Sequence, residues 1–257
     1  MSEAHEADGP ARRVRETIEA APPPAEFAAE AAALGVELEP GDVERLHGYL
    51  RRLFAANATM NLTAIRDPIE AWSRHVLDAL TLVGPIASAT AAAGERLRVL
   101  DLGSGGGVPG LVLACVMPEV EFTLVEATGK KARFLAETAT SLGLANVEVL
   151  AERAETLGHD PWLRGSRDVV VARAVGPLRV LLELAVPLLR VGGTLLAVKG
   201  ERAPTEIAEA KRALHMLHAV AIDSIRTPTG TIVVVEKSRE TPKAYPRALG
   251  TPSHQPL

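Results

Sequence analysis

Cysteine is nearly missing from this chain: Cys115 is the single one in 257 residues. One thiol excludes an internal disulfide and any cysteine-rich zinc site. Aromatic residues are scarce at 3%, and alanine is abundant, which reads as a compositional bias and not as a functional signal. Long hydrophobic runs are also lacking. No apolar stretch reaches the roughly 18 residues of a membrane-spanning helix. The N-terminal segment carries charges of both signs and no apolar core of the kind found in secretory signals, so the expected location is the cytoplasm. Nor is there a strong charge excess. The formal net charge is −4, which argues mildly against a nucleic-acid binder. Its distribution softens that point. Residues 1–60 hold 6 Lys+Arg against 11 Asp+Glu, whereas residues 237–257 set Lys237, Arg239, Lys243 and Arg247 against Glu240 alone. A local basic surface is compatible with an acidic protein.

What is present is an ordinary globular composition, 47% apolar and 23% charged, long enough for one large domain or a domain with an appendage. Residues 1–24 end in "APPP" and read as a disordered or weakly helical tail. A helical extension over 25–96 follows. In "GDVERLHGYLRRLFAA", Val43, Leu46, Leu50, Leu53 and Phe54 recur at helical spacing, with Asp42 as the expected N-cap. Asp67-Pro68 has the form of a cap and first helical residue. The helix it opens would place Ile69, Trp72, Val76, Leu80 and Val83 on its apolar face.

From residue 97 short apolar runs alternate with amphipathic segments. Strands are expected at 98–103, 121–126, 146–150, 168–173 and 193–199, with helices between most of them. That is the rhythm of a parallel, doubly wound sheet. The end differs: "HAVAIDSI" and "GTIVVVEKS" are separated by "RTPTG", a short turn, and must pair antiparallel. A mostly parallel sheet finished by an antiparallel strand is the layout of class I S-adenosylmethionine-dependent methyltransferases. This α/β domain is assigned to residues 97–238. Residues 239–257 read as a basic, proline-rich, irregular tail.

The stretch "VLDLGSGGGVPGLVLA" carries the chemistry. Glycines this dense after a strand let a backbone approach a ligand. Read as Gly105-x-Gly107-x-x-Gly110, the loop matches a dinucleotide fingerprint. Read as Asp101-x-Gly103-x-Gly105-x-Gly107, it matches the first methyltransferase motif. Asp101 would repel a pyrophosphate and welcome a cationic sulfonium. Pro109 removes a backbone N–H near the start of the next helix, where phosphate sites need one. Glu126, closing the second strand, suits a ribose diol in either reading. The methyltransferase reading is the stronger, and a purely structural glycine turn is the weakest.

Several stretches together resemble one family. They are "MNLTAIRDPIEAWSRHVLDAL", the glycine loop, "FTLVEATGKKARFLAETATSLGLANVEVLAERAE", "VARAV" and "TPKAYPRALGTPSHQPL". From about residue 40 onward the chain is similar to the bacterial glucose-inhibited division protein B family. The resemblance implies methylation of guanine N7 in 16S ribosomal RNA of the small subunit, near the decoding centre, with S-adenosylmethionine as cofactor. It implies cofactor contacts at Gly103, Val108, Ala154, Glu155 and Arg173, joining Asp101, Gly105 and Glu126 from the loop argument. Family members often carry larger residues at Gly106 and Val108, a difference expected to alter packing and not chemistry.

Guanine N7 has an in-plane lone pair and no proton, so no general base is needed. Arg173, ending the fourth strand, is expected to position the reactants. The Pro-Pro-Tyr element of adenine-amine methylation is absent, since that place reads "ARAVGPL". Cys115 lies in an apolar run and reads as core rather than nucleophile. His75 and Asp78, with Asn61 before their helix, read either as a hydrogen-bonding cluster or as walls of the pocket. Candidate RNA contacts are Arg66, Arg74, Lys130, Lys131, Arg133, Lys199, Lys243, Tyr245 and Arg247; for most of these a solvated surface role is as good a reading. Tyr245 would stack on a base or pack the tail. No metal site, no membrane partner and a monomer are expected. The alternatives are a small-molecule methyltransferase, a cofactor-binding assembly factor without turnover, and a nicotinamide dehydrogenase.

Overall fold

In the computed structural model, residues 18–89 and 95–257 are described. Seven strands form one sheet: β1 Arg98–Leu102, β2 Glu121–Val125, β3 Val147–Leu150, β4 Arg167–Arg173, β5 Leu189–Lys199, β6 Ala219–Thr227 and β7 Gly230–Lys237. Their order is β3-β2-β1-β4-β5-β7-β6. Pairings from β3 to β5 are parallel, and β7 runs antiparallel to both β5 and β6. The central strands β1, β2 and β4 are largely apolar on both faces because both faces are covered, as parallel sheets require, whereas the edge strands β3 and β6 are half-exposed. Val99, Leu124, Val169, Val171 and Leu196 face one core; Leu100, Leu102, Val170, Ala172 and Leu195 face the other.

The first core is covered by α1 Phe27–Ala33, α2 Asp42–Met60, α3, α4 Val83–Ala87, α5 Gly110–Val116 and α6 Gly129–Ser141. Here α3 denotes the π-helical turn Trp72–Leu77 and its continuation Asp78–Leu80. The N-terminal helices thus share a core with the sheet. α2 buries Leu46, Leu50, Leu53 and Phe54 as expected, and Tyr49 and Asn57 with them. The second core is covered chiefly by α8 Leu178–Ala185, α9 Ala203–Glu209 and α10 Lys211–Leu217. The short helix α7 Ala154–Leu157 follows β3, and α11 Thr251–His254 lies in the C-terminal segment.

Four expectations are corrected by the structure. Gly41, not Asp42, is the N-cap of α2; Asp42 is its first residue, accepting the Glu39 N–H at 2.8 Å and pairing with Arg45. The helix opened by Asp67, whose carboxylate does accept the Ile69 and Glu70 N–H groups, is not continuous to Val83. It widens into the π-helical turn and then breaks at Thr81-Leu82, because Pro85 has no N–H to return to the Thr81 carbonyl. Of the N-terminal tail, residues 1–17 lie outside the described residues. Residues 18–24 are irregular but docked: the Ala21 carbonyl accepts the Trp72 indole N–H at 3.0 Å and Ala20 is buried. Residues 239–257 are not a loose tail either. Arg164 donates to the carbonyls of Thr241, Pro242 and Tyr245, and Pro246 packs against Gly158.

Candidate active site

Open parallel sheets bind ligands beyond the carboxyl ends of their strands, where the order reverses. In this sheet that place lies between β1 and β4, and the glycine loop leaves β1 there. The loop turns through left-handed backbone at Gly103, Gly105 and Gly107, which glycine adopts without the steric cost other residues meet. Glu126, at the end of β2, joins two loops: its carboxylate accepts the Gly105 N–H at 3.1 Å and the Thr128 N–H at 2.7 Å. Each carboxylate oxygen retains a further acceptor site for a diol.

Asp101 does not have the place expected of it. Its carboxylate is fully buried beneath the loop and accepts the Gly110 N–H at 3.0 Å, and its Oδ1 has no hydrogen-bond partner among the described residues. Burial pushes its pKa up to about 7, against the pull of Ser104 and the Gly110 N–H. It is therefore no simple counter-charge for a cation. The discrimination survives by another route: the first N–H of α5 is already used by Asp101, so it is not free for a pyrophosphate.

Above the loop is a cavity of about 400 Å³. It is lined by Tyr49 and Leu53 of α2, by Leu62–Ile65 between α2 and α3, by Arg74 and His75 of α3, by Gly103–Gly106 and Val108, and by Arg173 and Ala174. Asn57 shapes this wall from below: its side chain donates to the Thr63 carbonyl and accepts the Leu62 and Thr63 N–H groups. The Tyr49 hydroxyl donates to the Gly106 carbonyl at 2.9 Å, and Leu53 lies so close to Gly106 that a side chain there must displace it. Sequence reasoning missed Tyr49, Asn57 and Thr63. For Tyr49 and Asn57 the available signal was a phenol and an amide inside the apolar stripe of α2, since buried polar groups need partners; Thr63, beyond the helix, carried none.

Arg173 stands at the rim, its Nε 3.3 Å from an Asp78 oxygen and its terminal nitrogen donating to the Arg74 carbonyl at 3.0 Å. His75 shares a 2.8 Å hydrogen bond with Thr63, and burial together with the Arg173 charge lowers its pKa to about 4. It is a neutral imidazole near pH 7. Burial raises the pKa of Asp78, opposed by Arg173 and Arg74. Burial likewise raises the Tyr49 phenol. Asn61, grouped with His75 and Asp78 by sequence, is instead exposed at the C-cap of α2. Cys115 is buried core, its thiol pushed up to about 12 by burial.

The structure brings together Gly103, Gly105, Val108 and Arg173 around the cavity and Glu126 beside it. Ala154 begins α7, just after β3. The Glu155 carboxylate turns away toward the C-terminal segment, accepting the Gly250 N–H at 3.1 Å. Two proposed RNA contacts are withdrawn. Lys199 is buried between Glu206, at 3.0 Å, and the Gly176 carbonyl. Arg247 forms a two-pronged pair with fully buried Glu183 at 2.7–2.8 Å. Tyr245 packs on the second core. Arg66, Lys130, Arg133 and Lys243 are exposed, Lys131 is half-buried, and Arg74 is exposed beside Glu70. Among the described residues, no group of three or more His, Cys, Asp or Glu is placed to hold a metal, and no helix is long and apolar enough to cross a membrane.

These residues fit S-adenosylmethionine. The left-handed glycines give close backbone approach, and Glu126 offers acceptors for hydroxyls. Known proteins agree with this fit. A family model described as rRNA small subunit methyltransferase G matches residues 42–229. A relative from Sorangium cellulosum, named ribosomal RNA small subunit methyltransferase G, is 50% identical over 224 residues, covering 87% of this chain and 92% of its own. One of the same name from Chloroflexus aggregans is 43% identical over 230 residues, covering 88% and 94%. A solved Corynebacterium glutamicum structure shares the fold, with TM-score 0.50 and 18% identity over 84% of this chain and 97% of that one. With the β3-β2-β1-β4-β5-β7-β6 sheet, the glycine cradle and these matches, the chain belongs to the rRNA small subunit methyltransferase G family of class I, S-adenosylmethionine-dependent enzymes.

Proposed function

We propose that this chain methylates N7 of a guanine in 16S ribosomal RNA of the small subunit, near the decoding centre, acting as a cytoplasmic monomer. The helical extension (25–96), the methyltransferase domain (97–238) and the C-terminal segment (239–257) would work as one body. The names of the relatives support the RNA substrate. One structural observation carries the chemistry: Arg173 is fixed at the mouth of a cavity in which, among the described residues, no base is poised for proton transfer. His75 is a weak base, its pKa lowered to about 4 by burial and the Arg173 charge and its Nε2 engaged by Thr63, and the Asp101 carboxyl lies sealed under the loop.

Gly103, Gly105, Val108, Glu126, the Ala154-Glu155 backbone and Arg173 would hold S-adenosylmethionine, which supplies an electrophilic methyl group. Guanine N7 accepts a methyl without losing a proton, so this chain's task is alignment and exclusion of water. Tyr49, Leu53, Leu62 and Ile65 wall the cavity with apolar surface. Arg173 orients the acceptor. In that environment a fixed cation acts more strongly than in water.

Two experiments test this reading. N7-methylguanine is mapped in ribosomal RNA from cells lacking the protein and from cells with it restored. Loss of one site, regained on complementation, is expected; an unchanged map, or transfer only to small acceptors, overturns the proposal. Arg173→Ala should lower the rate of methyl transfer by about a hundredfold, the scale at which misplaced reactants slow a reaction, while leaving RNA affinity nearly unchanged. Near-normal turnover would remove Arg173 from the machinery.

A further inference from the structure

Arg173 is held by more than its own strand. Asp78 offers it one oxygen at 3.3 Å. The other Asp78 oxygen accepts the hydroxyl of Thr229. Thr229 belongs to a distant element: Thr227 pairs with Gly230 across the β6–β7 hairpin, so Pro228 and Thr229 are its two-residue tip. That tip is wedged in place. A side chain at Gly230 would collide with the Lys199 carbonyl at the end of β5, so only glycine lets the hairpin seat there. On the far side of Asp78, a second cavity of about 280 Å³ runs between the tip, α3 and α1, lined by Leu34, Leu77, Thr81, Pro228 and Thr229. Asp78 is thus a buried carboxylate with one oxygen on the reaction side and one on the hairpin side.

The position of Asp78 follows from the backbone. It directly follows the π-helical turn Trp72–Leu77. The same turn supplies the Arg74 carbonyl that takes the second Arg173 nitrogen. Such widened turns recur at functional sites because they re-aim side chains that a regular helix would place elsewhere. A buried charge tolerates only a paired, hydrogen-bonded geometry. Fixing both oxygens of Asp78 therefore fixes the guanidinium.

We infer that Asp78 and Thr229 are positioning residues for methyl transfer. Thr229 sets the orientation of Asp78, and Asp78 holds the Arg173 guanidinium in its working place, so the tip of the β6–β7 hairpin is part of the catalytic apparatus. This rests on the assignment of Arg173 as the group that orients the acceptor. Neither residue touches the reactants in this scheme; both act through Arg173. Loss of the Thr229 hydroxyl frees a carboxylate that still pairs with Arg173, so its effect is the smaller.

The test uses the full chain, 16S ribosomal RNA and S-adenosylmethionine, with four single variants, Asp78→Asn, Thr229→Val, Thr229→Ser and Arg173→Ala, and the double variant Asp78→Asn/Arg173→Ala. The methyl-transfer rate is read at saturating substrates, cofactor affinity by calorimetry, and folding by thermal unfolding. Asp78→Asn is expected to lower kcat by at least about tenfold with KM and cofactor affinity nearly unchanged, the pattern of an interaction made only in the transition state. Thr229→Val should lower kcat by about threefold, and Thr229→Ser should recover it. Asp78→Asn placed on Arg173→Ala should cost little more, because residues acting as one unit are not additive. Thr229 is exposed, so its variants fold even where Asp78→Asn does not. Normal kcat in Thr229→Val, or a loss matched by the valine and serine variants alike, overturns the inference. A full additional loss in the double variant does so too. If Arg173→Ala itself turns over normally, the assignment of Arg173 fails first, and this inference with it.

Discussion

The Asp101 carboxylate, which the sequence points at a cationic cofactor, accepts the first N–H of α5 instead. The motif marks it, yet it faces Gly110 and not the cavity. A Cβ on Gly110 would stand 2.6 Å from the Asp101 carboxylate, so Gly110→Ala should cost about 1–3 kcal/mol in urea unfolding, as overpacking does. The protonation of Asp101 has a measurable consequence. Its pKa rises on folding to about 7, so between about pH 4 and 7 the native state binds more protons than the unfolded chain. Its contribution to stability is complete below pH 4 and is lost as pH rises toward 7. His75, lowered to about 4, acts in the opposite sense: its contribution is present above pH 6.5 and falls as pH drops toward 4. The two are separable by difference. Subtracting the stability–pH curve of Asp101→Asn from that of the native protein should leave a component that declines over pH 4–7. A flat difference would show that Asp101 titrates alike in both states.

Among the elements, the C-terminal segment departs furthest from its sequence. Its prolines and basic residues suggest a solvated arm, and the structure makes it a strap across α7 and α8. Arg164, Glu155 and Glu183 each reach it. Glu183 is fully buried, and Arg247 neutralises it with two parallel hydrogen bonds. Arg247→Ala leaves that carboxylate unpaired and should cost about 3 kcal/mol in chemical unfolding. Truncation before Thr241 should lower the melting temperature before any effect on RNA is read; an unchanged melting temperature would mean the strap adds no stability. The strand pattern, by contrast, was legible. Short apolar runs at 98–103, 121–126 and 168–173 lie within a residue of β1, β2 and β4, because strands buried on both faces leave a largely apolar signature. The start of β5 was misplaced at 193 instead of Leu189, since Arg190, Gly192 and Gly193 break that signature.

For the whole molecule, the formal charge of −4 means that RNA affinity must come from a local surface. Lys130, Lys131 and Arg133 on α6 and Lys243 in the strap remain available for it, while Lys199 and Arg247 do not. Replacing Lys130 and Lys131 by glutamine should reduce the slope of log affinity against log salt by about one for each phosphate contact removed. An unchanged slope would place the RNA elsewhere. The sequence by itself determined the sheet, the glycine turn and the cofactor class. The sheet and the turn follow from periodicity and backbone permissiveness, which are local properties of neighbouring residues; the cofactor class rests on Asp101 and Pro109 in the loop and on the family resemblance. Only the tertiary structure decided which charges are free, where Asp101 points, and that the hairpin tip reaches Asp78. Those depend on partners 7 to 151 positions away, and burial, not residue type, sets whether a charged side chain meets water or another charge.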